Sequence, residues 1–202
     1  MLRYIEYIKE ARDLRHPFIQ AAVSGNNNKV KEFIKSGIDI NMKDKDGRTA
    51  LMNAVMNNFL MVVITLIDAG ANPNLQDKDG RTALMMASTN KIMDKLFEAG
   101  ADVNIKNLDG NNFLVDRLDY FGSLDDKIIY FFEKLVSKGI DLKNKNRFGE
   151  NFYDVLIGRS EHSKQFNPER RHLLDFRNYV DENYPQFKEE WEMRQNVNKY
   201  NL

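Results

Sequence analysis

The sequence predicts an all-α repeat solenoid, built of helix-turn-helix units joined by β-hairpin loops, with additional capping helices at both ends. Three observations predict it. The segment Asp44-Lys45-Asp46-Gly47-Arg48-Thr49-Ala50-Leu51-Met52 recurs unchanged 33 residues on, as Asp77-Lys78-Asp79-Gly80-Arg81-Thr82-Ala83-Leu84-Met85, and a period of roughly 20 to 50 residues signals stacked supersecondary units. Glycines Gly37, Gly70, Gly100 and Gly139 each precede by ten residues a second series, Gly47, Gly80, Gly110 and Gly149, so one connector of constant length repeats. Successive connectors lie 33, 30 and 39 residues apart. Because the connector does not change, the gain and loss must fall in the helical part: three residues missing between Ala87 and Ile92, and six extra around Asp119 to Lys127.

The elements follow in chain order. Residues 1–14 predict one amphipathic helix with Tyr4, Ile5, Ile8, Ala11 and Leu14 on a stripe that covers the end of the first repeat. Residues 15–160 hold about five units, the first and last atypical. In the regular units Thr49 and Thr82 precede an apolar run and are placed to cap a first helix by accepting a first-turn amide. Leu51, Ala54 and Val55 share one face of that helix, and Val62, Val63, Leu66 and Ile67 form the buried side of the second. Gly70 ends it, as Gly37, Gly100 and Gly139 do elsewhere. Small residues Ala21, Ala22, Ala54 and Ala87 let neighbouring first helices stack closely, so each unit buries a face it cannot bury alone. The connectors, such as IDINMKDKDG, alternate apolar and polar residues before turning, a strand-like text. The fourth unit departs, with Arg117 in place of the alanine and Asn112 in place of the threonine; the fifth lacks a second helix of the same type. Residues 161–202 predict one or two capping helices, starting near Pro168 and kinked at Pro185, with Leu173, Phe176, Val180, Tyr184, Phe187 and Trp191 at three- and four-residue steps.

Composition removes several classes of function. Of 202 residues, 42% are apolar and 30% charged, with 30 Lys plus Arg against 30 Asp plus Glu. The chain is folded, and its zero net charge provides no domain-wide field for nucleic acid or anionic lipid. The absence of cysteine excludes disulfides, thiol nucleophiles and Cys-based metal sites. The longest apolar stretch, Phe59 to Ile67, is far short of the roughly 20 residues that span a bilayer. Glu6 and Glu10 interrupt the start where a signal peptide needs an apolar run, so the expected address is the cytoplasm.

No chemistry-bearing constellation emerges. His16, His162 and His172 lack the i, i+4 spacing of a helical metal site. The Asp-x-Asp-Gly stretches lack the closing glutamate of a calcium loop and read as turns. Adjacent acids Asp125-Asp126 and Glu189-Glu190 point apart on a helix, and the basic group Lys164, Arg170, Arg171 and His172 is diluted by Glu161, Glu169 and Asp175. The chain is therefore not expected to be an enzyme, and no cofactor, metal or small-molecule ligand is expected. Met52, Met56, Met61, Met85, Met86 and Met93 read as core filling, with Met56 and Met86 nearer the exposed side of first helices.

Thr49-Ala50-Leu51-Met52-Asn53-Ala54 and Thr82-Ala83-Leu84-Met85-Met86-Ala87, with the exits Gly100-Ala101-Asp102-Val103-Asn104 and Gly70-Ala71-Asn72-Pro73-Asn74, resemble the ankyrin repeat, with Ala for Pro and Met for His in the first-helix signature. PFIQAAVSGNNNKVKEFIKSGIDIN resembles a first repeat without its hairpin. The resemblance implies a protein-binding scaffold whose hairpin tips and exposed first-helix sides form a concave face. Carried onto this chain, the tips are Lys45, Asp46 and Arg48; Lys78, Asp79 and Arg81; Leu108, Asp109 and Asn111; and Arg147, Phe148 and Glu150. Met56, Asn57, Thr89, Asn90, Asp119 and Tyr120 continue the face, with Phe121 beside it. Leu108 and Phe148 are apolar where a tip needs no apolar group, which points to contact within residues 106–150; packing of Tyr120, Phe121 and Phe148 on the C-terminal helices is the alternative. The partner expected is an unidentified protein, without nucleic acid and without membrane insertion. An inhibitor or effector, delivered into another cell in one version, would use the same face, and a separate activity in residues 161–202 is a third reading.

Overall fold

A computed structural model describes residues 17–118, 127–166 and 171–200, as two compact units, Met1–Leu108 and Asp109–Leu202. The helix expected over 1–14, the insertion residues Asp119, Tyr120 and Phe121, and Pro168 lie outside the described residues. No helix among the described residues is long and apolar enough to cross a membrane.

Among its described residues the first unit contains three helix pairs. These are α1 (Pro17–Val23) with α2 (Asn27–Lys35), α3 (Ala50–Met56) with α4 (Leu60–Asp68), and α5 (Ala83–Met86) with α6 (Asn90–Glu98). First helices pack on first helices and second on second. Ala22, Ala54 and Ala87 are all fully buried, which lets backbones approach and Phe18, Leu51, Leu66, Leu84 and Leu96 fill the space between layers.

Local chemistry explains each boundary. Thr49 caps α3: its hydroxyl accepts the Met52 amide at 3.2 Å, a bond typically worth ~1 kcal/mol. Thr82, in identical text, makes no such bond, contrary to expectation. Downstream, the three-residue deletion removes the last turn. α5 therefore has 4 residues against 7 in α3, and Ala87 is already extended. Between α3 and α4 the chain turns through Asn58 at φ 59°, where the preceding repeat has Gly25 at φ 71°; asparagine is among the few side chains that tolerate this region.

The connectors also differ from expectation. Among the described residues they form no strands, only an isolated antiparallel bridge between Lys43 and Thr49. Their alternation serves anchoring instead: Ala71, Val103 and Ile140 are buried under the helices.

The second unit contains α7 (Phe113–Arg117), α8 (Lys127–Ser137), α9 (Phe152–Phe166), α10 (Arg171–Asn183) and α11 (Pro185–Tyr200). Asn112 replaces the threonine cap in kind, accepting the Val115 amide at 3.2 Å and donating to the Asp141 carbonyl at 3.0 Å. Arg117, in the alanine position, lies over the Phe113 ring, 5.9 Å from its centre. α9 is a 15-residue helix in the place of a short first helix, so the boundary expected at 160/161 falls inside it. α10 packs on α9, and α11 on both. Leu173, Phe176, Val180 and Phe187 are buried as their spacing predicts, and Phe132 sits at the centre, stacked on Phe152 at 5.4 Å and edge-on to Phe176 and Tyr184 at 5.3 Å. Pro185 breaks the chain into two helices instead of kinking one, because it occupies the first position of α11, where its missing amide costs nothing.

Tyrosines tie this layer to acids. Tyr179 donates to Glu133, and Tyr184 donates to the same carboxylate at 3.0 Å; Tyr153 donates to Asp181. The bond to Glu133, with burial, pushes the Tyr179 phenol up to about 12 from 10.0. Burial, with the same Glu133, raises Tyr184, and burial with Asp181 raises Tyr153. A folded-state pKa above the unfolded one means the native state holds protons that the unfolded chain releases, so stability is full below pH 10 and falls as pH rises toward 12. Urea midpoints followed by circular dichroism should drop across that window, and Tyr179→Phe should flatten the drop. A wild-type midpoint with the same pH dependence as Tyr179→Phe contradicts the assignment.

Candidate protein-binding tips

Three of the connector loops are each curled by one side chain. The Asp44 amide donates to the Arg48 carbonyl at 2.9 Å, and its Oδ1 accepts the amides of Asp46 and Arg48, both at 2.9 Å. Asp77 repeats this with Asp79 and Arg81 at 2.9 and 2.8 Å. In the second unit Asn146 substitutes an amide oxygen for the carboxylate, accepting Phe148 and Glu150 at 2.9 and 3.0 Å. A side chain that captures backbone amides two and four residues on makes a tight turn without strands.

Consecutive loops then share one backbone-to-backbone hydrogen bond per step. In the first unit Lys78 N–H donates to the Asp46 carbonyl and Leu108 N–H to the Asp79 carbonyl, both at 3.0 Å; in the second, Arg147 N–H donates to the Asp109 carbonyl at 2.9 Å. The approach is so close that a Cβ on Gly80 would stand 2.8 Å from the Leu108 nitrogen.

The expected tip residues divide into three groups. Lys45 and Lys78 are exposed, with nothing in the fold requiring them. Arg48, Asp46 and Asn111 are half-buried; Arg81 reaches both Asp77 and Asp79, at 3.2 and 2.6 Å, and Arg48 stands 3.9 Å from Asp77. Leu108 is 71% and Phe148 69% exposed, so Phe148 does not pack under the C-terminal helices. The Arg147 guanidinium lies 4.8 Å from the Phe148 ring centre and pairs with Asp109 at 2.9 Å, holding the ring face-on to a cation.

Along the first helices Met56 is 45% exposed and Asn57 exposed, its amide donating to the Asn53 carbonyl at 2.8 Å. Thr89 is half-buried and donates its hydroxyl to Asn58 at 3.0 Å, bracing two repeats. Tyr120 and Phe121 lie outside the described residues. The methionine reading needs one correction: Met52, Met85 and Met93 are buried, but Met61 is 61% exposed, because it occupies the outward side of α4.

The sequence reading missed Asn53. Buried, it donates to Asp44 Oδ2 at 3.2 Å and to the Thr49 carbonyl at 3.0 Å, fastening the loop to its helix. Its equivalent one period on is Met86, so the repeat pattern carries no signal for it. Among the described residues no group of three His, Asp or Glu side chains is placed to hold a metal ion.

Comparison with known proteins agrees with the repeat text. Residues 18–107 match the family model "Ankyrin repeats (3 copies)". A Mus musculus protein described as "Fibronectin type 3 and ankyrin repeat domains 1 protein" is 50% identical over 38 residues, 19% of this chain. That stretch spans 11% of the mouse protein's own length.

The acids at these tips differ in role, and substitution separates them. Asp77→Ala strips a carboxylate whose side chain is 1% exposed and orphans two amides, at an expected cost of about 3 kcal/mol. Asp79→Ala removes a 66% exposed partner and should cost less than about 1 kcal/mol. Urea denaturation of the two variants checks this; equal losses would show that Asp77 does not frame the loop.

Proposed function

We propose, from the ankyrin-repeat array that residues 18–107 form, that this chain is a scaffold that binds a partner protein through its loop tips and the exposed sides of its first helices. Ankyrin repeats are in general protein-protein interaction modules, and the family is typically non-enzymatic. The observation that carries the finer reading is Phe148. An aromatic ring 69% exposed on a turn adds nothing to the core, yet Arg147 covers one face of it and Asp109 holds Arg147 in place. Exposed ion pairs contribute little stability, so the value of this one lies in orientation. Arginine and aromatic side chains are the commonest interface anchors, and a side chain fixed before binding loses less entropy on binding. Leu108 provides a second exposed apolar group at a tip, within the first unit.

Within each unit the tips carry charged side chains on loops curled by Asp44, Asp77 or Asn146, which suits recognition by side chains on a fixed frame. Residues 161–202 serve on this reading as a cap, since Leu173, Phe176, Val180 and Phe187 face inward and open repeat ends require covering.

Capture from a cytoplasmic lysate with the intact chain, followed by mass spectrometry, identifies the partner. Whether that partner is an enzyme whose activity falls on binding separates an inhibitor from a scaffold. Arg147→Ala and Phe148→Ala should leave melting within about 0.5 kcal/mol of wild type and weaken capture by about tenfold or more. Unchanged capture with unchanged melting overturns the tip assignment.

A further inference from the structure

Helix α4 departs from its neighbours on its outward side. The 33- and 30-residue spacings align Leu60, Met61 and Ile64 with Asn27, Asn28 and Lys31 of α2 and with Asn90, Lys91 and Asp94 of α6. Both neighbours place polar residues at all three positions and still fold into the array, so the aliphatic groups of α4 answer no demand of the repeat. Met61 is 61% exposed, and Leu60 and Ile64 are half-buried. α4 packs between α2 and α6; the exposed groups level with Met61 and Ile64 are Asn28 and Lys31 on α2 and Lys91 on α6, with half-buried Asp94 level with Ile64 and exposed Lys35 one turn beyond Lys31. None of these three lysines pairs with a carboxylate among the described residues, whereas Lys95 is held by Glu98 at 2.5 Å. The acids in the vicinity are Glu32 on α2, Asp68 on α4 and Asp94 on α6.

We infer that the outward face of α4 is a second docking surface, for a partner helix that presents an apolar stripe flanked by acidic residues. A helix laid along α4 would set side chains at i, i+3 and i+4 against Leu60, Met61 and Ile64. Its flanking carboxylates would meet Lys31, Lys35 and Lys91, which supplies orientation and speeds association. Methionine suits such a surface because its flexible thioether adapts to the incoming side chain. The apolar area is small, so binding is weak and salt-sensitive. None of these residues belongs to a loop tip, and the inference does not depend on the tips binding anything.

The test uses the full chain and a fluorescein-labelled synthetic helix with leucines at three- and four-residue steps flanked by glutamates, read by fluorescence anisotropy. Wild type should bind it saturably, more weakly as salt rises. Met61→Asn combined with Ile64→Lys installs the residues α2 carries at these positions, so the fold is kept, and should weaken binding at least about tenfold. Lys31→Glu combined with Lys91→Glu, exposed positions both, should do the same and serves if the first variant melts early. Phe148→Ala should bind the peptide like wild type. The inference is overturned if wild type fails to bind, if the variants bind equally, or if a peptide with lysines in place of the glutamates binds as well. It is also overturned if the face instead captures phosphatidylserine vesicles, or if sedimentation shows a self-association that Met61→Asn/Ile64→Lys abolishes.

Discussion

One backbone hydrogen bond per step, made across a glycine, sets the spacing of the loops in this protein. Lys78 N–H reaches the Asp46 carbonyl and Leu108 N–H the Asp79 carbonyl in the first unit, and the same bond joins Arg147 to Asp109 in the second. The donor strand of backbone passes so near Gly47 and Gly80 that a Cβ would lie 2.9 and 2.8 Å from the incoming nitrogen. The carboxylates of Asp44 and Asp77 and the amide of Asn146 hold their own loops in the curl that aims these groups. With the frame held by backbone and by these buried or half-buried side chains, the outermost positions carry no structural duty. Lysine, leucine or phenylalanine can stand there without disturbing the frame.

The helix layers depend on the same register. Alanines 22, 54 and 87 let first helices meet at the distance the loops impose, and the deletion after Ala87 is absorbed by shortening α5, so that α6 keeps its place beside α4. Where the pattern weakens in the second unit, side-chain chemistry takes over: Asn112 caps α7, Asn151 and Asp154 cap α9 reciprocally at 3.0 Å, and a group of aromatic rings around Phe132 joins α8, α9 and α10.

Periodic features were legible from sequence because they are local and repeated. The duplicated nine residues, the two glycine series and the alanines each determine a turn, an approach or a stacking contact within one unit. Features that depend on a distant or unrepeated partner were not. Thr49 and Thr82 each stand in the same duplicated text, yet only Thr49 caps: Asn53 bonds the Thr49 carbonyl, whereas Met86, one period on, ends a helix of four residues. The connectors alternate like strands, but a loop that shares a single backbone-to-backbone bond with its neighbour and gives two of its amides to an aspartate builds no sheet. Met61 looked like core until α4 was seen to present it outward, and Asn53 has no periodic counterpart at all. At the candidate tips, residue identity and position were readable; the clamp of Arg147 on Phe148 was not, since an arginine beside a phenylalanine in sequence says nothing of where either side chain lies.

Gly80→Ala compared with Gly70→Ala tests the loop-spacing account most directly. Both glycines belong to the first unit and have positive φ, 76° and 89°, but an added Cβ meets the next loop's backbone only at Gly80, and at Gly70 it meets nothing within 4 Å. By urea denaturation Gly70→Ala should cost about 1 kcal/mol, the left-handed penalty alone, and Gly80→Ala about 3 kcal/mol, because backbone and not a flexible side chain must move. Equal losses for the two variants would show that loop-to-loop approach does not govern the stacking.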